Sequence, residues 1–175
     1  MLRPLELELE LLEEELPRDD EDPREEEPEL RDEELLEELL REETEQEELH
    51  ACTDITGFGL LGHLGEMLKG ASTGAYLQLD ALPVLEGSVA LAQRGFESTL
   101  APDNRHATRL LENPGLEHPH YPLMFDPQTA GGLLAAVPAE VAMACGKALR
   151  DAGYPASIIG NTSGEISHGA IRLVG

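Results

Sequence analysis

A lone carboxylate between two threonines, with two glycines close behind it, is the arrangement in this chain best suited to chemistry. Asp54 stands in the run Thr53-Asp54-Ile55-Thr56-Gly57-Phe58-Gly59, and helical spacing begins immediately after it. Gly57 and Gly59 permit backbone conformations and close approaches that a Cβ would obstruct. The amides at the start of a helix, together with its dipole, favour anions, so phosphate can be held there. A carboxylate in the same place can hold a hard cation such as Mg2+, which takes oxygen ligands and bridges to substrate phosphates. On this reading Asp54 is a metal ligand. Thr53 and Thr56 support it as caps or donors, and with Gly57 and Gly59 they line the cofactor site. The plainer alternative is a helix-start carboxylate that bonds backbone N–H groups, the commonest use of Asp before a helix.

Other candidates carry less. Phe125-Asp126-Pro127-Gln128-Thr129-Ala130-Gly131-Gly132-Leu133-Leu134 joins an acidic turn to a double glycine and then an apolar run. Pro127 disfavours helix at Asp126, and the two glycines let the backbone pass something closely. The segment either lines a ligand cleft or is a tight turn packing a sheet onto its helix. Six histidines invite a zinc hypothesis, His106 and His118-Pro119-His120 being the densest group. Zinc needs three or four convergent ligands, and neither a helical His-x-x-x-His nor paired cysteines supply them, so exposed loop histidines are expected. Cys52, close to Asp54, reads as a small buried apolar residue rather than a nucleophile, and Cys145 as packing.

The longer run from His50 to Leu64, containing Asp54-Ile55-Thr56-Gly57-Phe58-Gly59-Leu60-Leu61-Gly62-His63, resembles the Asp-(Val/Ile)-Thr-Gly-Phe-Gly-Leu-Leu-Gly-His signature of selenophosphate synthetase (selenide, water dikinase). Phe125 to Leu134 is similar to that family's Asp-Pro-Gln-Thr-Ser-Gly-Gly-Leu-Leu segment, with Ala130 where serine is more usual. The resemblance covers roughly residues 50 to 175. It implies an α/β fold, a mixed sheet with packed helices similar to the C-terminal domain of aminoimidazole ribonucleotide synthetase. It also implies a reaction of ATP, selenide and water giving selenophosphate, the selenium donor for selenocysteine and modified tRNA, by a cytoplasmic homodimer that uses Mg2+. Asp54 matches the family aspartate that helps bind the ion bridging the ATP phosphates.

The departures are equally informative. The family's N-terminal domain carries a Gly-rich mobile segment, a Cys or selenocysteine paired with a Lys, and most of the ATP site. Residues 1–49 contain nothing like it, and the only lysines are Lys69 and Lys147. No residue here is therefore assigned a catalytic role, and the chain is expected to be inactive alone. The alternative is a non-catalytic homologue that binds or regulates a full-length subunit. The family's first C-domain strands are expected to be replaced by the acidic head. Asn104-Arg105 falls where the family has a basic stretch after a helix, although Ser98 to Pro102 departs from the commonest form.

The elements that must position these residues divide the chain in two. Residues 1–49 hold 24 of the 36 acidic side chains and 5 of the 12 basic ones, a net of −19; the other 126 residues keep 12 and 7, a net of −5. Such charge argues against nucleic acid or an anionic membrane as partner, and no 18-residue apolar run appears. Two distant cysteines suggest a reducing compartment. Asn161-Thr162-Ser163 is read as a chance sequon. The head is expected to be disordered or marginal, with Leu5, Leu7, Leu9 and Leu11 alternating with glutamates, prolines interrupting an acidic block, and a charged helix at about 31–47. It is either an interaction arm or a solvated, low-complexity extension.

Residues 50–175 read as the domain. Leu60, Leu61, Leu64, Met67 and Leu68 predict a helix ending around Gly70. Residues 76–80 alternate like a strand, Ser88 to Arg94 reads as a short helix stopped by Gly95, residues 102–111 as another, and 113–122 as loop. Leu133 to Val137 is a buried-strand run. Pro138 then opens a helix with Val141, Ala142, Cys145, Ala148, Leu149 and Ala152 inward, and strands follow at 157–160 and 171–174. Strand, helix, strand predicts a sheet with a crossover helix.

Overall fold

The computed structural model describes residues 7–12, 50–129 and 131–175. The expected charged helix at 31–47 and the proline-interrupted acidic block lie outside the described residues. Among the described residues six strands form one mixed sheet: β1 Leu7–Leu12, β2 Ala51–Asp54, β3 Gly74–Gln78, β4 Leu133–Pro138, β5 Ala156–Ser163 and β6 Ile171–Val174, in the order β2-β4-β1-β5-β3-β6. Neighbours run antiparallel except β3 and β6, which are parallel. Among the described residues four α-helices accompany the sheet: α1 Gly59–Ala71, α2 Ser88–Gln93, α3 Ala101–Asn104 and α4 Ala139–Asp151.

The expected crossover is present. β4, α4 and β5 follow one another in the chain, and both strands pair antiparallel with β1, so they run parallel to each other with β1 between them. The expectation that the acidic head stands apart from the domain needs correcting at this point. Its Leu7–Leu12 segment is a central strand, in register from Leu7↔Pro138 to Leu11↔Leu134 on one side and from Leu7↔Thr162 to Leu12↔Ala156 on the other. The head therefore supplies a sheet strand rather than leaving a gap. A parallel β4–β5 pair split by a third strand leaves two rows of backbone groups to satisfy, and β1 satisfies them.

β4 is apolar along its whole length because both its faces are covered. Leu134 and Ala136 join the larger core with Leu61, Leu64, Leu68, Leu77 and Ile159, whereas Leu133 and Ala135 join Cys145, Leu149 and Ala156 under α4. Leu60, Leu61, Leu64 and Leu68 of the α1 stripe are buried as their spacing implies, with His63 added, and Met67 is half-buried. α1 runs one residue past Gly70 and stops at Ser72, whose left-handed φ of 52° closes the helix, with Thr73 N–H donating to Leu68 O (3.3 Å). Pro138 caps α4 rather than opening it, and Ala152 on the expected inner face is exposed. β3 begins at Gly74, two residues before the alternating run. The expected helix at 102–111 is α3 followed by a 3-10 helix, Arg105–Leu110, and another 3-10 helix, Tyr121–Phe125, ends the expected loop. No helix of the described residues is long and apolar enough to cross a membrane.

Candidate functional site

β2 ends at Asp54, and the next four residues carry the chain to α1. This connection is fastened at nearly every residue. Ile55 N–H donates to Gly132 O (3.0 Å), Gln128 N–H to Thr56 O (3.1 Å) and Gly59 N–H to Thr56 O (3.0 Å). Two of those bonds reach the Phe125–Gly132 segment, so the two unusual strings of the sequence lie side by side. Their contact needs glycine. A Cβ on Gly131 would sit 2.1 Å from Ile55 O, and one on Gly59, whose φ is +66°, would lie 3.0 Å from both Met124 O and Asp126 O.

Two buried side chains complete the fastening. Asn104, on the short α3, donates through Nδ2 to Gly57 O (2.8 Å) and Phe125 O (3.0 Å) and so ties both strings to a third segment. His63, one face of α1, has Nε2 at 3.1 Å from Thr56 N and 3.1 Å from Thr56 Oγ1. A backbone N–H can only donate, so Nε2 accepts and the ring proton resides on Nδ1. The Phe58 ring packs on the same imidazole with centroids 5.6 Å apart.

Against this scaffold the proposed site residues separate. Asp54 is exposed, and its carboxylate makes no hydrogen bond or ion pair among the described residues. It is not the helix cap of the plainer reading, since Phe58 occupies the cap position of α1. Thr53 donates its hydroxyl to Asp54 O (3.3 Å). Thr56 is engaged by His63. Gly57 is exposed with open space where a Cβ would go, whereas Gly59 is buried against the second string. One exposed carboxylate fits a single ligand in a Mg2+ shell completed by phosphate, water and other groups. It does not fit a self-contained cage, and among the described residues no three His, Cys, Asp or Glu side chains gather at one point.

Of the histidines of the zinc hypothesis, His106 is exposed as expected, whereas His118 and His120 are half-buried and do structural work. His118 Nε2 lies 3.0 Å from Asp80 Oδ1 while its Nδ1 accepts the His120 N–H (3.1 Å), and His120 Nδ1 meets Leu79 O at 2.7 Å. Together they pin the 113–122 loop to the end of β3. Cys52 is half-buried and Cys145 fully buried, as packing residues are. Sequence reasoning placed His63 in the signature and Asn104 at a family basic stretch but assigned neither a role. The spacing of Thr56 and His63 was a usable signal. For Asn104, whose partners lie 47 and 21 positions away, no local signal exists.

A cavity of about 220 Å³ lies behind the second string, walled by the 82–88 segment, the turn at 123–128 and Gly131-Gly132. Ser88 is one of its lining residues, and its Oγ is buried with no hydrogen-bond partner among the described residues. A hydroxyl left so costs about 1–3 kcal/mol.

The profile of the family described as AIR synthase related protein, C-terminal domain, matches residues 8–171. The chain is similar to proteins named selenide, water dikinase: 39% identical over 115 residues to that of Agathobacter rectalis and 41% over 119 residues to that of Myxococcus xanthus. Each alignment takes in 65% of this chain and 33% of the relative, so the chain spans about a third of the length of the curated relatives it matches. Among solved structures, the HypE-HypF complex (TM-score 0.59, 17% identity, 98% of this chain and 50% of that one) shares the fold. So does T. maritima PurL complexed with ATP (TM-score 0.57, 14% identity, 98% and 23%).

Proposed function

The chain belongs to the AIR synthase related family as its C-terminal domain, and on that premise we propose that it is the C-terminal portion of a selenide, water dikinase. The complete enzyme would convert ATP, selenide and water to selenophosphate for selenocysteine and selenium-modified tRNA, acting in the cytoplasm as a homodimer. One observation carries the reading. In a segment about 40% identical to relatives of that name, the two signature strings fold onto each other and hold Asp54 exposed, with no partner for its carboxylate among the described residues.

Asp54 would hold Mg2+, with Thr53 and the Gly57 backbone beside it. When bound, such an ion neutralises charge on phosphate oxygens. Thr56 and Gly59 act one step back, keeping the connection in shape. Phosphoryl transfer needs several positive charges around the phosphates and a positioned nucleophile. Lys69 lies in the last turn of α1, away from its start, and Lys147 pairs with Asp151 on α4. The chain alone is therefore expected to make no selenophosphate. Incubation with ATP, Mg2+ and selenide, followed by phosphorus NMR, tests this. A selenophosphate signal above the protein-free control would overturn it.

A second reading, a non-catalytic domain that binds a full-length synthetase, draws on Phe58, 56% exposed beside the Asp54 connection. Co-purification with a complete synthetase, weakened by Phe58→Ser, separates it from the first.

A further inference from the structure

The side-chain clasp between α1 and the Asp54 connection runs through one atom. His63 Nε2 lies 3.1 Å from both Thr56 N and Thr56 Oγ1. Because that nitrogen accepts from the amide it carries no proton, so the hydroxyl bond must run from Oγ1–H to Nε2. The Thr56 carbonyl meanwhile accepts the N–H groups of Gly59 and Gln128. Every polar group of Thr56, two residues beyond Asp54, is therefore committed, two of them to a single imidazole.

That imidazole stands on the firmest element near the site. Leu61 and Leu64, on either side of His63 in the chain, are wholly buried in the larger core, and His63 itself is 7% exposed. Phe58 packs on its ring, an approach that needs glycine at 62, because a Cβ there would lie 2.6 Å from Phe58 Cβ. A half-buried amide such as that of Thr56 needs an acceptor, and Nε2 is the one it meets. We propose that His63 is the positioning residue of the Asp54 site: through its unprotonated Nε2 it fixes the Thr56 amide and hydroxyl against α1, and so holds the Asp54 carboxylate where it meets a divalent cation. The proposal rests on the reading of Asp54 as a metal ligand and adds the group that sets the ligand's place. Groups that orient a metal ligand from behind are costly to lose.

The test uses NMR of the isotope-labelled 175-residue chain, with Mn2+ as the probe because its paramagnetism broadens the signals of nearby amides. Long-range nitrogen–proton correlation first reads the imidazole. A proton on Nδ1 and none on Nε2 is expected at neutral pH, and a proton on Nε2 overturns the proposal before any variant is made. Mn2+ should then broaden the amides of residues 53–57, and Asp54→Asn should remove that broadening. The acidic residues before position 50 also draw Mn2+, but residue-resolved signals keep the two places apart. His63→Leu is expected to cut the broadening at 53–57 about threefold or more. His63→Gln, whose Oε1 can accept the same bonds, should restore it to within about twofold. Signals far from the connection report whether each variant keeps the fold. Should His63→Leu fail to fold, Thr56→Val, which removes the hydroxyl half of the clasp, takes its place, and undiminished broadening there overturns the proposal. No broadening at residues 53–57, or broadening that survives Asp54→Asn, overturns the Asp54 reading and this proposal with it. Broadening lost in Asp54→Asn but unchanged in His63→Leu, or lost equally in His63→Leu and His63→Gln, overturns the positioning role alone.

Discussion

The two edge strands of the sheet use carboxylates in opposite ways. At the β6 edge Glu112 is fully employed. Its N–H donates to Ile171 O (2.9 Å), and its side chain accepts from Arg172 Nε (2.9 Å) and the Ser167 N–H (3.4 Å). Next to it Asn113 exchanges two bonds with Leu173, Nδ2 to O and N to Oδ1, both 2.9 Å. That edge is closed by side chains, as an exposed strand edge requires. At the β2 edge the fastening is all backbone, Asn104 and His63, while Asp54 stands at the end of the strand and bonds to nothing described. Under the proposed function, the carboxylate on this firmly held connection is the one left available to hold Mg2+. Preorganised placement of this kind is what a ligand to a reacting metal needs.

The largest expected effect breaks the comparison at Asp54. With this segment in a complete enzyme, Asp54→Asn should lower metal-dependent selenophosphate formation by about 100-fold or more, because each 1.36 kcal/mol of barrier is roughly tenfold. Stability should move by no more than about 0.5 kcal/mol, as at other exposed positions without contacts. Turnover across a Mg2+ titration beside a thermal melt reads both, and near-normal turnover would remove Asp54 from the chemistry.

Next comes the junction of the two strings. Gly131→Ala puts a methyl group 2.1 Å from Ile55 O and 2.9 Å from Gln128 Cβ, and overpacking of that kind costs about 2–3 kcal/mol. Gly57→Ala meets nothing within 4 Å and should stay within about 0.5 kcal/mol. Urea unfolding of the pair measures the contrast; equal midpoints would mean that the close approach is not what keeps the strings together. Asn104→Ala should fall between them, at about 1–2 kcal/mol, since Gly57 O and Phe125 O lose their shared donor. A change below about 0.3 kcal/mol in the same assay would show that Asn104 contributes little there.

The smallest effect sharpens the β6 side. Burial works to raise the Glu112 pKa, but the hydrogen bonds and charge of Arg172 and the Ser167 N–H outweigh it and hold the carboxyl below its ordinary 4.5. A depressed carboxyl contributes stability above the unfolded value, and that contribution is lost as pH falls through the folded value. Glu112→Gln should therefore flatten the acid limb of stability below about pH 4.5 and scarcely alter it at pH 7, because the pair is exposed. Parallel acid limbs for the two proteins would contradict this.

What the sequence disclosed was whatever rests on neighbours along the chain. The α1 stripe, the apolar run of β4 and the inner face of α4 were legible because period and burial coincide there. The Asp54 connection was legible as a spacing of carboxylate and glycines. β1 was visible as alternating leucines, yet its partners β4 and β5 are remote and its surroundings are acidic, so local composition argued the other way. β3 began early because Gly74 and Ala75 carry no strand signal; Gly74 is instead fixed by Ile166, whose Cγ2 would lie 2.4 Å from a Cβ there. The 102–111 helix changes pitch after Asn104, the residue committed to Gly57 and Phe125. Nothing near Asn104 in sequence announces that commitment.

The position of β1 bears on the order in which this chain can be made and folded. A ribosome delivers Leu7–Leu12 well before the backbone that receives it, from Leu134 to Pro138 and from Ala156 to Thr162. Until then the strand has nowhere to dock, and β4–α4–β5, although local in sequence, has a slot through its middle. Loop-closure entropy for so remote a pairing must be met before its bonds form, which slows folding. The sheet is thus sealed from the centre by a segment synthesised well before the strands that receive it.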